Sequence, residues 1–178
     1  MITHPELPVF KEDSPLTLKE TTQIELAVIE GISKTTPKWG VVRAGGGYSC
    51  AAAIAYEDTG NGKRKLSAII EVKSRRSGVH ELIHQYNGNM VLDRVKWDGL
   101  RQLSVLTQCE VFLYSYFIPD DSVLKTQLFN SVGGPIVKSW SLEALAPTSV
   151  DGPRRKKELV QFSTQGSELA LIQLISKQ

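Results

Sequence analysis

The sequence predicts an α/β protein, a central mixed β-sheet flanked by helices. Three observations point there. An apolar stripe at helical spacing runs over residues 18–32. A hairpin signal, Asn61-Gly62, lies between two strand-like apolar runs. A second helical stretch over residues 92–107 leads straight into the apolar run 111–118. The implied order is α-β-β-β-α-β, followed by a C-terminal extension. At 178 residues and 41% hydrophobic, the chain suffices for one ordinary domain and is too short for two large ones. Residues 1–16, with Pro5, Pro8 and Pro15, read as an irregular arm. Residues 17–178 read as a single domain, with a core over 17–120 and additions over 121–178.

The first helix begins near Thr17, with Leu18, Ile24, Ala27, Val28 and Ile32 as its stripe. Gly31 and Pro37 are its stop signals. Residues 39–42 form a short strand. Gly45-Gly46-Gly47 lacks the Lys-Ser/Thr of a phosphate loop and reads as a bend. Residues 50–56 and 65–73 are the two arms of the hairpin. If Asn61-Gly62 is a two-residue turn, Cys50 opposes Lys73 and Ala52 opposes Glu71. Cys50, Glu71 and Lys73 then share a face; an odd-length loop puts Ser49 and Ala51 there instead. Residues 74–90 are polar and read as a connection. The second helix has Val95, Leu100, Leu103 and Leu106 as its apolar side. Pro119-Asp120-Asp121 is a turn, residues 122–129 a strand, and Gly133-Gly134-Pro135 a break. Ser141 caps a short helix over 141–145. Residues 147–153 are a loop, 158–162 a late strand, and an apolar segment follows Ser167.

Net charge is only +2, so bulk charge gives no case for nucleic acid. The bases gather at Lys63-Arg64-Lys65, at Lys73 with Arg75-Arg76, and at Arg154-Arg155-Lys156-Lys157. Cys50 and Cys109 sit in apolar runs without disulfide spacing. With no leader sequence, a reducing cytoplasm is the expected compartment. No apolar run reaches membrane-spanning length, so no membrane partner is expected.

The chemistry concentrates at Glu71-Val72-Lys73, the end of the hairpin's return strand. Residues two apart on a strand point to the same face. An acid and an amine thus emerge together at the end of a buried strand, where charge needs a partner, a metal or a ligand.

These residues resemble the PD-(D/E)xK nuclease superfamily, the fold of many restriction enzymes, Holliday-junction resolvases and phage nucleases. The resemblance rests on Glu71-Val72-Lys73, the hairpin before it, Glu25 on the first helix, the Ser74-Arg75 continuation, and Lys96-Trp97-Asp98-Gly99-Leu100. It covers roughly residues 17–120. It implies a restriction-endonuclease-like core and a magnesium- or manganese-dependent deoxyribonuclease, resolvase-like members acting on branched DNA as homodimers. Glu71 would be a metal ligand, the Val72 carbonyl a second, and Glu25 a direct or water-mediated supporter. Lys73 would stabilise the attacking hydroxide or the phosphate charge. Arg75, Arg76 and Lys96 would contact DNA phosphates. The family's strand aspartate is missing: Cys50 stands at the vacated position, and a neutral thiol is a poor magnesium ligand. Three explanations remain open: a shifted alignment, another acid such as Glu30 or Asp98 in the gap, or a weakened relative that only binds nucleic acid.

A rival pattern, His80-Glu81-Leu82-Ile83-His84, matches the zinc-protease H-E-x-x-H signature. Gly78 leaves almost no turn before it, and Asn87-Gly88-Asn89 ends any helix directly after Tyr86. No third ligand stands at a familiar spacing.

Overall fold

The computed structural model describes residues 18–44, 50–147 and 153–170. The N-terminal arm, the glycine triplet and the segment beyond residue 170 lie outside them. Helix α1 spans Leu18–Thr35 and is followed by strands β1 (Gly40–Arg43), β2 (Ala53–Asp58) and β3 (Arg64–Arg75). Helix α2 (Val79–Tyr86) and strand β4 (Asn89–Asp93) come next, then helix α3 (Arg94–Thr107) and strand β5 (Glu110–Phe117). A 3-10 turn at Ile118–Asp120 leads to β6 (Ser122–Phe129), β7 (Ser139–Pro147), β8 (Arg154–Ser163) and β9 (Glu168–Ala170).

Among the described residues the central sheet has the order β1-β2-β3-β5-β6-β9. It is mixed: β3 and β5 run parallel, and the other neighbours are antiparallel. A smaller antiparallel sheet has the order β4-β8-β7. The architecture is α/β, with helices on the central sheet. No helix among the described residues is long and apolar enough to cross a membrane.

Two cores lie against the two faces of the central sheet. On one, Val28, Ile29 and Ile32 of α1 pack with Ala53, Ala55, Ala68, Ile70 and Val72. The short side chains of β2 leave room for those of α1. Gly31 sits inside this helix and does not stop it; α1 continues to Thr35, just before Pro37. On the other face, Trp97 and Leu100 of α3 pack with Ile69 and Leu113, and with Met90, Val160 and Phe162 of the small sheet.

The register near the site arises differently from the simple turn expected. Thr59 donates its N–H to the Lys63 carbonyl at 2.9 Å, closing a loop over Gly60-Asn61-Gly62. Gly60 and Gly62 have φ of 82° and 68°, a region open to glycine. This odd loop would shift the ladder by one residue. A β-bulge compensates: Tyr56 pairs with Leu66 but Ala55 with Ala68, leaving Ser67 extra. Beyond it Ala53 pairs with Ile70, the register the two-residue turn predicted.

Other expectations are corrected. The connection 74–90 contains α2 and the start of β4. The two-turn helix buries only Leu82, too little for a visible stripe. Leu92 belongs to β4, not to the following helix. Residues 141–145 are strand, because β7 pairs with β8 along its whole length. The buried side of α3 is Trp97, Leu100 and Ser104. Val95 and Leu106, expected inside, are 86% and 80% exposed. Positions 97, 100 and 104 hold one helical stripe, and 95 and 106 fall outside it.

This inversion yields a direct comparison. Leu100→Ala should destabilise by about 2–5 kcal/mol, as expected for a fully buried leucine. Leu106→Ala should change stability by no more than about 0.5 kcal/mol. Urea unfolding of both variants checks it, and equal losses would show that α3 turns a different face to the sheet.

Candidate functional site

Glu71 lies on β3 where that strand runs between β2 and the parallel β5, opposite Leu113. It is 7% exposed. Its closest cation is Lys96 of α3, with Nζ 3.0 Å from Oε1. Glu71 Oε2 is buried with no hydrogen-bond partner among the described residues. Burial pushes the carboxyl above the ordinary carboxylate range. Lys96, by charge and hydrogen bond, pulls it partly back, with help from Lys73, while Glu25 pushes it up again.

Lys73 is exposed and lies in electrostatic range of Glu71. The sequence put Glu71 and Lys73 on one face; the structure adds a short contact from Lys96 to Glu71. Lys96 was expected on DNA phosphate, but the adjoining helix face carries it inward. The same ammonium donates to the Cys50 carbonyl at 3.3 Å. Cys50 itself is on a bend preceding β2, with its exposed thiol against α3. A Cβ on Gly99 would stand 3.3 Å from that sulfur, so the absence of a side chain at Gly99 lets the bend and helix meet.

Glu25 comes from α1, on the other face of the sheet from Lys96, and influences Glu71 through its charge. Its Oε1 accepts a hydrogen bond from Arg43 Nε at 2.7 Å, which fixes the carboxylate beside β1. The Val72 carbonyl has a distinct position. Ala52 N–H donates to the Ile70 carbonyl at 2.9 Å. Carbonyls two apart on a strand point to the same edge. Val72 C=O therefore points to the β2 side, just past the place where the chain bends away. At the start of β2, Lys96 thus holds Glu71 and the Cys50 carbonyl together, while Lys73 and Glu25 act on Glu71 through their charge.

The remaining sequence candidates lie elsewhere. Arg75 is not a phosphate contact: it is 8% exposed, and its Nη2 donates to the Val91 carbonyl at 3.1 Å. The intervening β4, unread in the sequence, covers it. Arg76 pairs loosely with Glu20, at 3.8 Å, beside an open groove of about 480 Å³ that Gln23, Ile24 and Ile118 also line. The two acids considered for the strand aspartate are paired with their own helical neighbours. Glu30 meets Lys34 at 2.7 Å, and Asp98 meets Arg94 at 2.9 Å. His80 and His84 are exposed on α2, rings 4.1 Å apart. That helix starts after Gly78 and ends at Asn87 in the left-handed conformation, as its glycine and asparagine flanks indicated. Among the described residues no group of three or more His, Cys, Asp or Glu is placed to hold a metal ion.

Comparison of the chain with family models, with curated proteins and with solved structures returns no match.

The raised pKa of Glu71 has a consequence for stability. An acid whose folded pKa exceeds its unfolded value binds more protons when folded. Its contribution is full below the ordinary value of 4.5 and is lost as pH rises through the folded value. Glu71→Gln should therefore melt at or above the wild-type temperature at pH 7, with the gap closing towards pH 4. Thermal melts across that range check it. A variant that melts lower at pH 7 would show that the Lys96 pair outweighs the burial.

Proposed function

We propose that the protein is a metal-dependent nuclease with a restriction-endonuclease-like core, hydrolysing DNA phosphodiester bonds. The observation that carries this reading is the buried Glu71 carboxylate, one oxygen held by Lys96 and the other without a partner among the described residues, with the charges of Lys73 and Glu25 acting on it. The αβββ order before it and the parallel strand after it agree with the resemblance noted from sequence.

The donors fit a hard divalent cation. Magnesium takes oxygen ligands, keeps several waters, and commonly needs only one or two protein carboxylates beside substrate phosphates. Glu71 through Oε2, Glu25 and the Val72 carbonyl would supply those ligands for Mg²⁺ or Mn²⁺. When bound, the ion would activate water and neutralise phosphate charge. Lys96 holds the Glu71 carboxylate in one orientation through Oε1. Lys73, exposed at the solvent side, would meet the phosphate or the attacking hydroxide. Resolvase-like action on branched DNA by a homodimer is the narrower form of the proposal.

A second reading is a relative that binds DNA without cutting it. Cys50 in place of the strand acid favours it, because the acids around Lys96 are then only two.

Incubation with duplex, single-stranded and branched DNA and either metal separates them. Cleavage that falls at least about 10³-fold in both Glu71→Gln and Lys73→Met supports the nuclease. Binding without cleavage in the wild type supports the second reading. Cleavage that survives Glu71→Gln would remove the basis of the first.

A further inference from the structure

Two of the three bases expected on DNA are engaged elsewhere, Lys96 with Glu71 and Arg75 with a β4 carbonyl, while Arg76 keeps only its loose pair with Glu20. The structure offers a different basic element. β4 pairs only with residues 159–163 of β8. The β7–β8 ladder continues beyond it, from Leu142↔Leu159 out to Pro147↔Arg154. Residues 143–147 and 154–158 therefore form a two-stranded ribbon that β4 does not pair with, roughly 16 Å long at about 3.3 Å per residue, its root packed on the small sheet through the buried Ala144 with Val91 and Leu159.

The outer part of that ribbon carries Arg154-Arg155-Lys156-Lys157. Alternation places Arg155 and Lys157 on one face and Lys156 on the other. Arg155 and Lys156 are exposed. Lys156 meets Glu143 at 2.7 Å and Lys157 meets Asp93 at 3.5 Å. Such partly exposed pairs are weak and exchange readily for another anion. The major groove admits a two-stranded ribbon.

The root of the ribbon is fastened beside the candidate site. Arg94 Nη1 donates to Ser141 Oγ of β7 at 2.6 Å, and Lys157 pairs with Asp93, the residue capping α3. Lys96, the ammonium on Glu71, follows in the first turn of that helix. A ligand lying along the ribbon is thereby led towards Glu71.

We infer that the β7–β8 ribbon is the principal nucleic-acid contact, gripping the phosphates of duplex DNA through Arg155, Lys156 and Lys157. The choice of DNA as partner rests on the nuclease reading; the ribbon's geometry does not.

Fluorescence anisotropy of a labelled 20-base-pair duplex, in EDTA so that nothing is cut, tests the inference. The full chain is compared with Arg155→Gln/Lys156→Gln/Lys157→Gln and with Lys63→Gln/Arg64→Gln/Lys65→Gln, which removes the same charge from the other hairpin. Circular dichroism melts confirm folding. The ribbon variant should bind at least about tenfold more weakly. The slope of log K against log salt should become shallower by about 2–3, at about 0.9 for each phosphate no longer neutralised. The other variant should change less than about twofold. Equal losses in both variants, or none in the ribbon variant, would overturn the inference while leaving the nuclease reading standing. Ribbon-dependent binding by a wild type that cuts neither duplex, single-stranded nor branched DNA with magnesium or manganese would support the ribbon and overturn the nuclease. A wild type that binds no duplex overturns the ribbon outright.

Discussion

A carboxylate withdrawn from water on an inner strand constrains everything packed around it. Glu71 lies on the strand that joins the antiparallel hairpin to the parallel half of the sheet, so both of its neighbours are main chain. The cost of burying that charge is met only by groups arriving from the face. Lys96 is the group that arrives, and its stem must descend from α3 at a fixed height. Trp97 and Leu100 set that height by packing against the sheet, Trp97 edge-on to Phe129 with ring centroids 4.7 Å apart. Gly99 brings the Cys50 bend up to the same helix. The site is thus a product of core packing on one face of the sheet rather than of a mobile surface loop.

The small sheet extends this dependence. β4 is inserted between β3 and α3, and its pairing with β8 carries the chain's later strands back over the core on the α3 side. It also decides the fate of Arg75. Two residues beyond Lys73 on the same face of β3, that side chain would meet solvent if β4 were absent. With β4 present it is enclosed and bonds a carbonyl of that strand. Asp93 and Arg94, at the junction of β4 and α3, hold the β7–β8 hairpin through Lys157 and Ser141. The helix that presents Lys96 to the inside therefore presents its first turn to the hairpin outside.

The legible parts of the sequence were those where local pattern and tertiary environment agree. β5 and β6 are continuous apolar runs between polar turns, and their bounds lie close to the sequence reading. The register of β2 on β3 beside Glu71 was also reached, but through two compensating local events, a longer loop and a bulge, that periodicity does not reveal. What was missed depends on partners distant in the chain. Nothing local distinguishes Val95 and Leu106 from Trp97 as the inward side of α3. Trp140, Leu142 and Ala144 alternate as strand residues do, yet only pairing with β8 makes them one. Lys96 is the clearest case among the site residues. Its contact with Glu71 crosses 25 positions of sequence and follows from the face on which α3 is buried.

On the nuclease reading, a thiol at Cys50 where a strand acid would stand changes the charge balance more than the geometry. Around Glu71 and Glu25 stand Lys96, Lys73 and Arg43, so bases outnumber acids by one. Cys50 contributes a carbonyl, which an ammonium already occupies. A divalent cation entering alone would meet two carboxylates, each holding a base at 3.0 Å or less. A phosphate entering alone would meet an excess of positive charge. On the nuclease reading the two are most stable together, because the phosphate oxygens supply the negative ligands that the strand would otherwise give. Metal affinity should then be coupled to nucleic-acid binding, each ligand strengthening the other by the same factor. The ribbon, by holding the duplex through contacts outside the site, would supply the phosphate that completes the metal's coordination.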